Sequence, residues 1–495
     1  MSVLIKEGMI VDGTGRPASR GDVMVEGERI VDVGVFPQAR ANVVLSAEGM
    51  VVCPGFIDIH NHAHDEAEGG ILKIPFADNM LRQGVTTLMA GNCGGSPLPV
   101  GEHLEEVKRL DIRTNYGLLV GHGSVRREVM GTVQRSSTVE ERAQMKKLLE
   151  RAMDEGAFGM STGLGYVPGA YSDTEEVVEL ARVVARRGGI YTSHLRDEGI
   201  KGMDAVREAI RIAREADIPV EISHLKLWGK DVWGRTEELL GAIEEARRSG
   251  LDVTADQYPY TAGYTGLGSL APRWAFSEGK LKQRLETPEE AARIRAYAAQ
   301  KLERIGGAGR VLLAICKEHP EFEGKTLAEV AEITGETALE AAMTLLPEEG
   351  ISAIYFAMQE EDVRDIMPHP AVMVGTDGHL RKFGVGVAHP RNYGTFPRVL
   401  GRYSRDQKLF DQVEAVRKMT SMPADKLGLR DRGRIERGKA ADIAVFDPKR
   451  IVDRATFEDG HRYPEGIETV LVGGRIAVQG GETIQKGYGR VLRHS

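Results

Sequence analysis

Six side chains in this 495-residue sequence carry the donor chemistry of a zinc site: His60, His62, Cys93, His194, His224 and Asp377. Neutral imidazole and thiolate are zinc's preferred partners, with carboxylate as a third choice. His60 and His62 form a His-x-His pair. On an extended segment residues i and i+2 point to the same face, so both imidazoles can grip one ion. His62-Ala63-His64 has the same spacing, but His60 ends the apolar run Gly55-Phe56-Ile57-Asp58-Ile59, which favours the earlier pair. Each residue alone has a plain alternative. A loop histidine is commonly a polar surface residue, and a lone cysteine is commonly a small buried hydrophobe. Their joint placement singles them out.

Ligands so far apart in sequence need a scaffold to gather them. Through the middle of the chain short apolar strands alternate with amphipathic helices. The pattern predicts strands over residues 55–60, 85–92, 117–122, 158–162, 189–194, 219–224, 251–257 and 372–377. Helical patterns fill 140–155, 174–187, 203–215 and 236–248. Eight strands in this alternation predict an α/β chain built as a (β/α)8 TIM-like barrel over residues 53–427. His60 and His62 close the first strand, Cys93 the second, His194 the fifth, His224 the sixth and Asp377 the eighth. The C-terminal strand ends of a barrel converge on one mouth, where active sites form. The count of eight requires residues at about 270–350 to be an insertion before the last strand. It reads either as a lid over the mouth or as a packing appendage. Residues 1–52 and 428–495 are strand-rich, with Gly473-Gly474 as a turn signal, and predict a small β-sandwich domain formed by both chain ends.

Composition narrows the function classes. Lys plus Arg number 65 and Asp plus Glu 73, a net charge of −8 spread along the chain, which argues against a nucleic-acid partner. No apolar run reaches membrane-spanning length, and the first residues lack a signal-peptide core, so no membrane association is expected. Cys53, Cys93 and Cys316 are odd in number and widely spaced, which predicts free thiols and a cytoplasmic setting. No Gly-x-Gly-x-x-Gly or Walker pattern sits between a strand and a helix, so a phosphate cradle is not expected. Nothing in the sequence decides whether the chain forms a homo-oligomer.

The run Pro54-Gly55-Phe56-Ile57-Asp58-Ile59-His60-Asn61-His62 resembles the opening metal motif of the amidohydrolase superfamily. The segment from Gly433 to Phe446 resembles that superfamily's return into its small β-domain. A finer resemblance, to the N-acyl-D-amino-acid deacylases (D-aminoacylases), runs over nearly the whole chain. Gly91-Asn92-Cys93-Gly94, Ser161 to Tyr166, Thr192 to Glu198, Ile222 to Lys226, Asp256 to Thr261 and His389-Pro390-Arg391 carry it.

The resemblance implies a zinc-dependent hydrolase that cleaves N-acyl-D-amino acids to a carboxylate and a free D-amino acid. It implies that Cys93, His194 and His224 hold a tight zinc. His60, His62 and Asp377 would surround a second, weaker position that Cys93 also reaches. Many superfamily members bridge two metals with a carboxylated lysine at the end of the fourth strand. Here that end reads Gly159-Met160-Ser161-Thr162-Gly163, so Cys93 is implied to replace the bridge, which disfavours hydantoinase- and dihydroorotase-type chemistry. Asp377 is expected to take the proton of the attacking water and pass it to the leaving nitrogen, with a role as a metal ligand alone as the alternative. Lys226 and Tyr258 match positions that bind the substrate carboxylate, with Arg391 and Arg273 as further candidates. Tyr264 stands where the family often has serine, a departure within the carboxylate pocket. Two other substrate readings stay open: dipeptides with a C-terminal D-residue, and N-acyl-D-glutamate or D-aspartate, for which Arg381 and Lys382 supply nearby positive charge. A non-catalytic barrel that binds a metabolite is the remaining alternative.

Overall fold

Eight short parallel strands close around the centre of the chain. The structure is a computed structural model that describes residues 1–484 and 486–494. Phe56–Asp58, Val85–Ala90 and Asn115–Leu118 pair in one arc. Val120–Gly121, Gly159–Gly163, Ile190–His194, Val220–Ile222, Val253–Gln257 and Val372–Val374 pair in the other. Asn115–Leu118 and Val120–Gly121 are two halves of the third strand, broken at Leu119. The barrel closes just beyond the first and eighth strands. Asp377 N–H donates to the His60 carbonyl at 2.7 Å, and His62 N–H donates to the Gly378 carbonyl at 2.7 Å. Val85–Ala90, Gly159–Gly163 and Ile190–His194 are buried at every residue, as parallel strands covered on both faces must be.

The surrounding helices start where their caps dictate. Thr138 and Glu141 form a capping box that opens Val139–Asp154. The Asp173 side chain accepts from Glu176 N–H and opens Thr174–Ala185. Gly202–Ala216 buries Val206, Ala209, Ile210 and Ala213 on one stripe. Full burial of Val206 there contributes about 1.5–3 kcal/mol.

The insertion is longer than the sequence pattern suggested. Gly263–Gly266 pairs antiparallel with Ser352–Tyr355, and Val311–Ile315 adds a third strand. These strands tie the two ends of the insertion together at its neck, so it runs over residues 263–356. It carries the helix Pro288–Ile305 and a separate apolar core that includes Leu270, Ile294 and Leu313.

The two chain ends build one nine-stranded sheet. Val51–Pro54 joins it by pairing antiparallel with Ile443–Phe446, so the sheet reaches past residue 52 to Pro54. The sheet folds over a shared core of Val3, Ile5, Val23, Val25, Ile443 and Leu471. Residues 486–494 leave it and run beside the third barrel strand: Tyr116 N–H donates to the Arg490 carbonyl, and Leu492 N–H to the Tyr116 carbonyl. All three cysteines are free thiols. Among the described residues no helix is long and apolar enough to cross a membrane.

Candidate metal centre

The six sequence-selected donors come together at the C-terminal mouth of the barrel. His60, His62, Cys93 and Asp377 form one group, and Cys93, His194 and His224 form another, each with donor atoms within 4.8 Å of one another. Cys93 belongs to both. Its Sγ lies 3.4 Å from His60 Nε2, 3.5 Å from His224 Nε2 and 3.8 Å from His194 Nδ1. His194 Nδ1 and His224 Nε2 are 2.7 Å apart, and His62 Nε2 is 2.9 Å from Asp377 Oδ1.

Three of the six hold backbone conformations that non-glycine residues rarely adopt: Cys93 at φ 52°, His224 at φ 37° and Asp377 at φ 50°. Such conformations cost of order 1–3 kcal/mol each and persist where neighbours enforce them. Around Cys93 the enforcement is visible. Ser161 on the fourth strand accepts from Gly94 N–H at 3.0 Å and donates to the Gly91 carbonyl at 2.5 Å. The fourth strand thus braces the cysteine turn and offers no lysine. His64 Nδ1 accepts from Gly91 N–H at 3.0 Å. Burial lowers the pKa of His64 to about 3, so it stays neutral and can accept. The second His-x-His reading therefore gives way to a supporting role. Gly91 itself sits at φ 82°, and a Cβ there would lie 2.1 Å from the Leu119 carbonyl oxygen.

Outer contacts orient the histidines. His60 Nδ1 is 2.8 Å from Asp256 Oδ2, which turns Nε2 toward Cys93. His224 Nδ1 is 3.0 Å from Glu198 Oε1, which also accepts from Lys226 Nζ at 2.5 Å. Below His60, both Glu221 carboxyl oxygens and Asp256 Oδ1 are buried without other partners. Burial and the adjacent Asp256 carboxylate push Glu221 well above the usual carboxylate range, and one retained proton can satisfy the pair. Burial opposes ionisation of Cys93, yet the facing imidazoles of His60 and His224 pull its thiol well below the usual range. Burial likewise opposes the charge on Asp377, but Arg391 and the histidines hold its carboxyl well below the usual range.

A cavity of about 720 Å³ opens over this group, lined by His62, Cys93, His194, Lys226 and Tyr258 among others. Arg273 also lines it, but its Nε donates to the Gly165 carbonyl at 3.1 Å and its guanidinium to the Arg196 carbonyl. Arg391 lies elsewhere. It is 1% exposed, behind Asp377, and its Nη1 donates to Asp377 Oδ2 at 2.7 Å. Arg381 does not line the cavity; it donates to Glu68 Oε2 at 2.6 Å and to the Tyr264 hydroxyl at 2.8 Å, two groups that do. Glu198, Asp256 and Glu221 were not singled out in the sequence. The first two lie inside motifs already quoted, and Asp256, on the seventh strand, points into the barrel.

The donor set suits a soft-to-borderline divalent ion: one thiolate, four imidazoles and one carboxylate, oriented by buried carboxylates behind them. The chain is 37% identical to a D-aminoacylase of Alcaligenes xylosoxydans xylosoxydans, covering 99% of this chain and 97% of that protein. It is 35% identical to an N-acyl-D-glutamate deacylase of the same organism, covering 96% and 93% respectively. The solved N-acyl-D-glutamate deacylase of Bordetella bronchiseptica, complexed with zinc and a phosphonate mimic of the tetrahedral intermediate, superposes with a TM-score of 0.86. That structure is 34% identical and covers 99% of both chains. The chain matches the amidohydrolase family over residues 43–478, and it belongs to that family.

Proposed function

We propose that this chain is a zinc-dependent hydrolase that cleaves N-acyl-D-amino acids into a carboxylic acid and a free D-amino acid. The observation that carries the reading is Cys93 shared between two donor groups at the barrel mouth, with Lys226 and Tyr258 lining the same cavity. Cys93, His194 and His224 would hold one zinc tightly; His60, His62 and Asp377 would form a weaker second position that Cys93 also reaches. A zinc ion bound there would supply Lewis acidity toward the amide carbonyl and lower the pKa of water toward neutrality.

The chain's own residues do the rest. Asp377 works at Oδ1, because Arg391 occupies Oδ2. Oδ1 accepts the proton released as water adds to the acyl carbon. It returns that proton to the nitrogen as the C–N bond breaks, and the amine leaves neutral before protonation by solvent. Arg391 acts through Asp377, fixing its rotamer and keeping it charged between turnovers. Lys226 and Tyr258 are the groups that face the substrate carboxylate. Glu198 holds Lys226 and His224 at once, so substrate binding and metal binding share one support.

The test is to incubate the zinc-loaded protein with N-acetyl-D-methionine and resolve the products by chiral chromatography. Stoichiometric acetate and D-methionine support the reading. Absence of both from zinc-loaded protein, across neutral and acidic N-acetyl-D-amino acids, overturns it. The same assay with glycyl-D-amino acids scores the dipeptidase alternative.

A further inference from the structure

The cavity wall is rich in cations, and nearly all are already committed. Arg196 pairs with Glu208 and Arg304 with Asp231, and Arg127 is exposed to solvent, with one hydrogen bond to the Val167 carbonyl. Arg273 is spent on the carbonyls of Gly165 and Arg196. Lys226 is paired with Glu198. Lys301 is different. It projects into the cavity from the insertion helix Pro288–Ile305, one turn beyond Tyr297, which lines the same wall. Among the described residues it has no ion pair and no hydrogen bond. The nearest carboxylates, Asp197 and Glu198, act on it only at a distance, and Arg304 and Arg273 oppose its charge. Glu198 holds Lys226, and Asp197 Oδ1 accepts from Gly199 and Lys201 N–H.

An ammonium group in this position is incompletely solvated and unpaired. Burial lowers its pKa, a sign that its charge lacks compensation. An arriving anion would supply the missing partner, with a charge-assisted hydrogen bond about twice as strong as a neutral one. The α-carboxylate is served by Lys226 and Tyr258, so Lys301 addresses a second negative group.

Resting on the deacylase reading, we infer that Lys301 is a specificity-determining residue that selects substrates with a second carboxylate. Arg381 does not play this part, because it does not line the cavity. Two portions of a substrate can supply the second carboxylate: the side chain of the D-residue, or the far end of a dicarboxylic acyl group.

Three substrates separate the sources: N-acetyl-D-leucine (neutral), N-acetyl-D-glutamate (acidic side chain) and N-succinyl-D-leucine (acidic acyl group). The readout is the ratio of kcat/KM for each acidic substrate to that for the neutral one. In the unmodified enzyme one acidic substrate exceeds the neutral one, and which one identifies the source. In Lys301→Met that ratio falls at least about tenfold, chiefly through KM. Lys301→Arg restores most of it, which a merely structural role would not. A ratio unchanged by Lys301→Met, or a neutral substrate preferred by the unmodified enzyme, overturns the inference. Binding is measured alongside turnover, by calorimetry of D-glutamate and succinate to the zinc-loaded protein. If no substrate turns over, the deacylase reading fails by itself. Lys301 is then judged on binding alone: a dissociation constant raised at least about tenfold for either acid in Lys301→Met supports it, and an unchanged one sinks it.

Discussion

Cys93 and Asp377 make different demands on the same site, and substitution should separate them. Cys93 is the donor common to both groups, so Cys93→Ala should remove tightly held zinc together with activity. Plasma emission spectrometry after dialysis reads the first effect, and a deacylation assay the second. Asp377 belongs to the first group only, and its expected work is proton transfer. Asp377→Asn should keep zinc on Cys93, His194 and His224 while kcat falls by about 10²–10⁴-fold, the usual span for a general acid–base group. Full zinc retention in Cys93→Ala, or unimpaired kcat in Asp377→Asn, would contradict these assignments. The convergence of these six side chains was legible in the sequence because each lies at or just past a strand end, a position that periodicity reveals. Their supports were less so. Glu198, Asp256 and Glu221 act through contacts between segments remote in sequence, which no local pattern encodes. Arg391 shows the same limit from the other side: its motif marked it as important, but only the packing shows that it is buried and donates to Asp377.

At the scale of elements, the turn from the second strand into Cys93 is the most demanding local structure in the site. Gly91 and Gly94 both hold positive φ, and Cys93 between them does too. Gly91→Ala combines a disfavoured φ with a Cβ driven against the Leu119 carbonyl. It should cost at least about 2 kcal/mol in urea unfolding and lower zinc affinity, because the cysteine is re-aimed. Gly250→Ala is a suitable control: its φ is also positive, at 91°, but nothing lies within 4 Å of its added Cβ. Equal stability losses in the two variants would show that strain alone, without the close approach to the third strand, accounts for the effect. The barrel strands were readable from sequence as apolar runs, and the helices from their 3.6-residue periodicity. The insertion's limits were not. Gly263–Gly266 and Ser352–Tyr355 find each other across nearly the whole insertion, and such pairing leaves no local signature.

In the molecule as a whole, one carboxylate joins both neck strands of the insertion to the barrel. Glu68, in the loop after the first strand, accepts from the Tyr264 hydroxyl at 2.7 Å, from Ser352 Oγ at 2.7 Å and from Arg381 at 2.6 Å. Those three partners come from the two neck strands of the insertion and from the loop after the eighth barrel strand. Tyr264 and Ser352 thus reach the same carboxylate from opposite ends of the insertion. Glu68→Gln removes the charge that Arg381 needs and should loosen the neck, raising the rate of limited proteolysis within residues 263–356 by about an order of magnitude. An unchanged cleavage pattern would mean that the insertion's other contacts hold it without the Glu68 charge. The central claim concerns the metal and the handedness of the substrate together, and one titration tests both. Metal-free protein is titrated with zinc while kcat/KM is followed for N-acetyl-D-methionine and its L-enantiomer. Activity should be absent at the start, rise to its full value with the first equivalent of zinc, and favour the D-enantiomer by at least about 100-fold, an order-of-magnitude expectation for a site that must misplace the wrong enantiomer's amide. Activity in the metal-free protein, or equal turnover of the two enantiomers, would contradict the account.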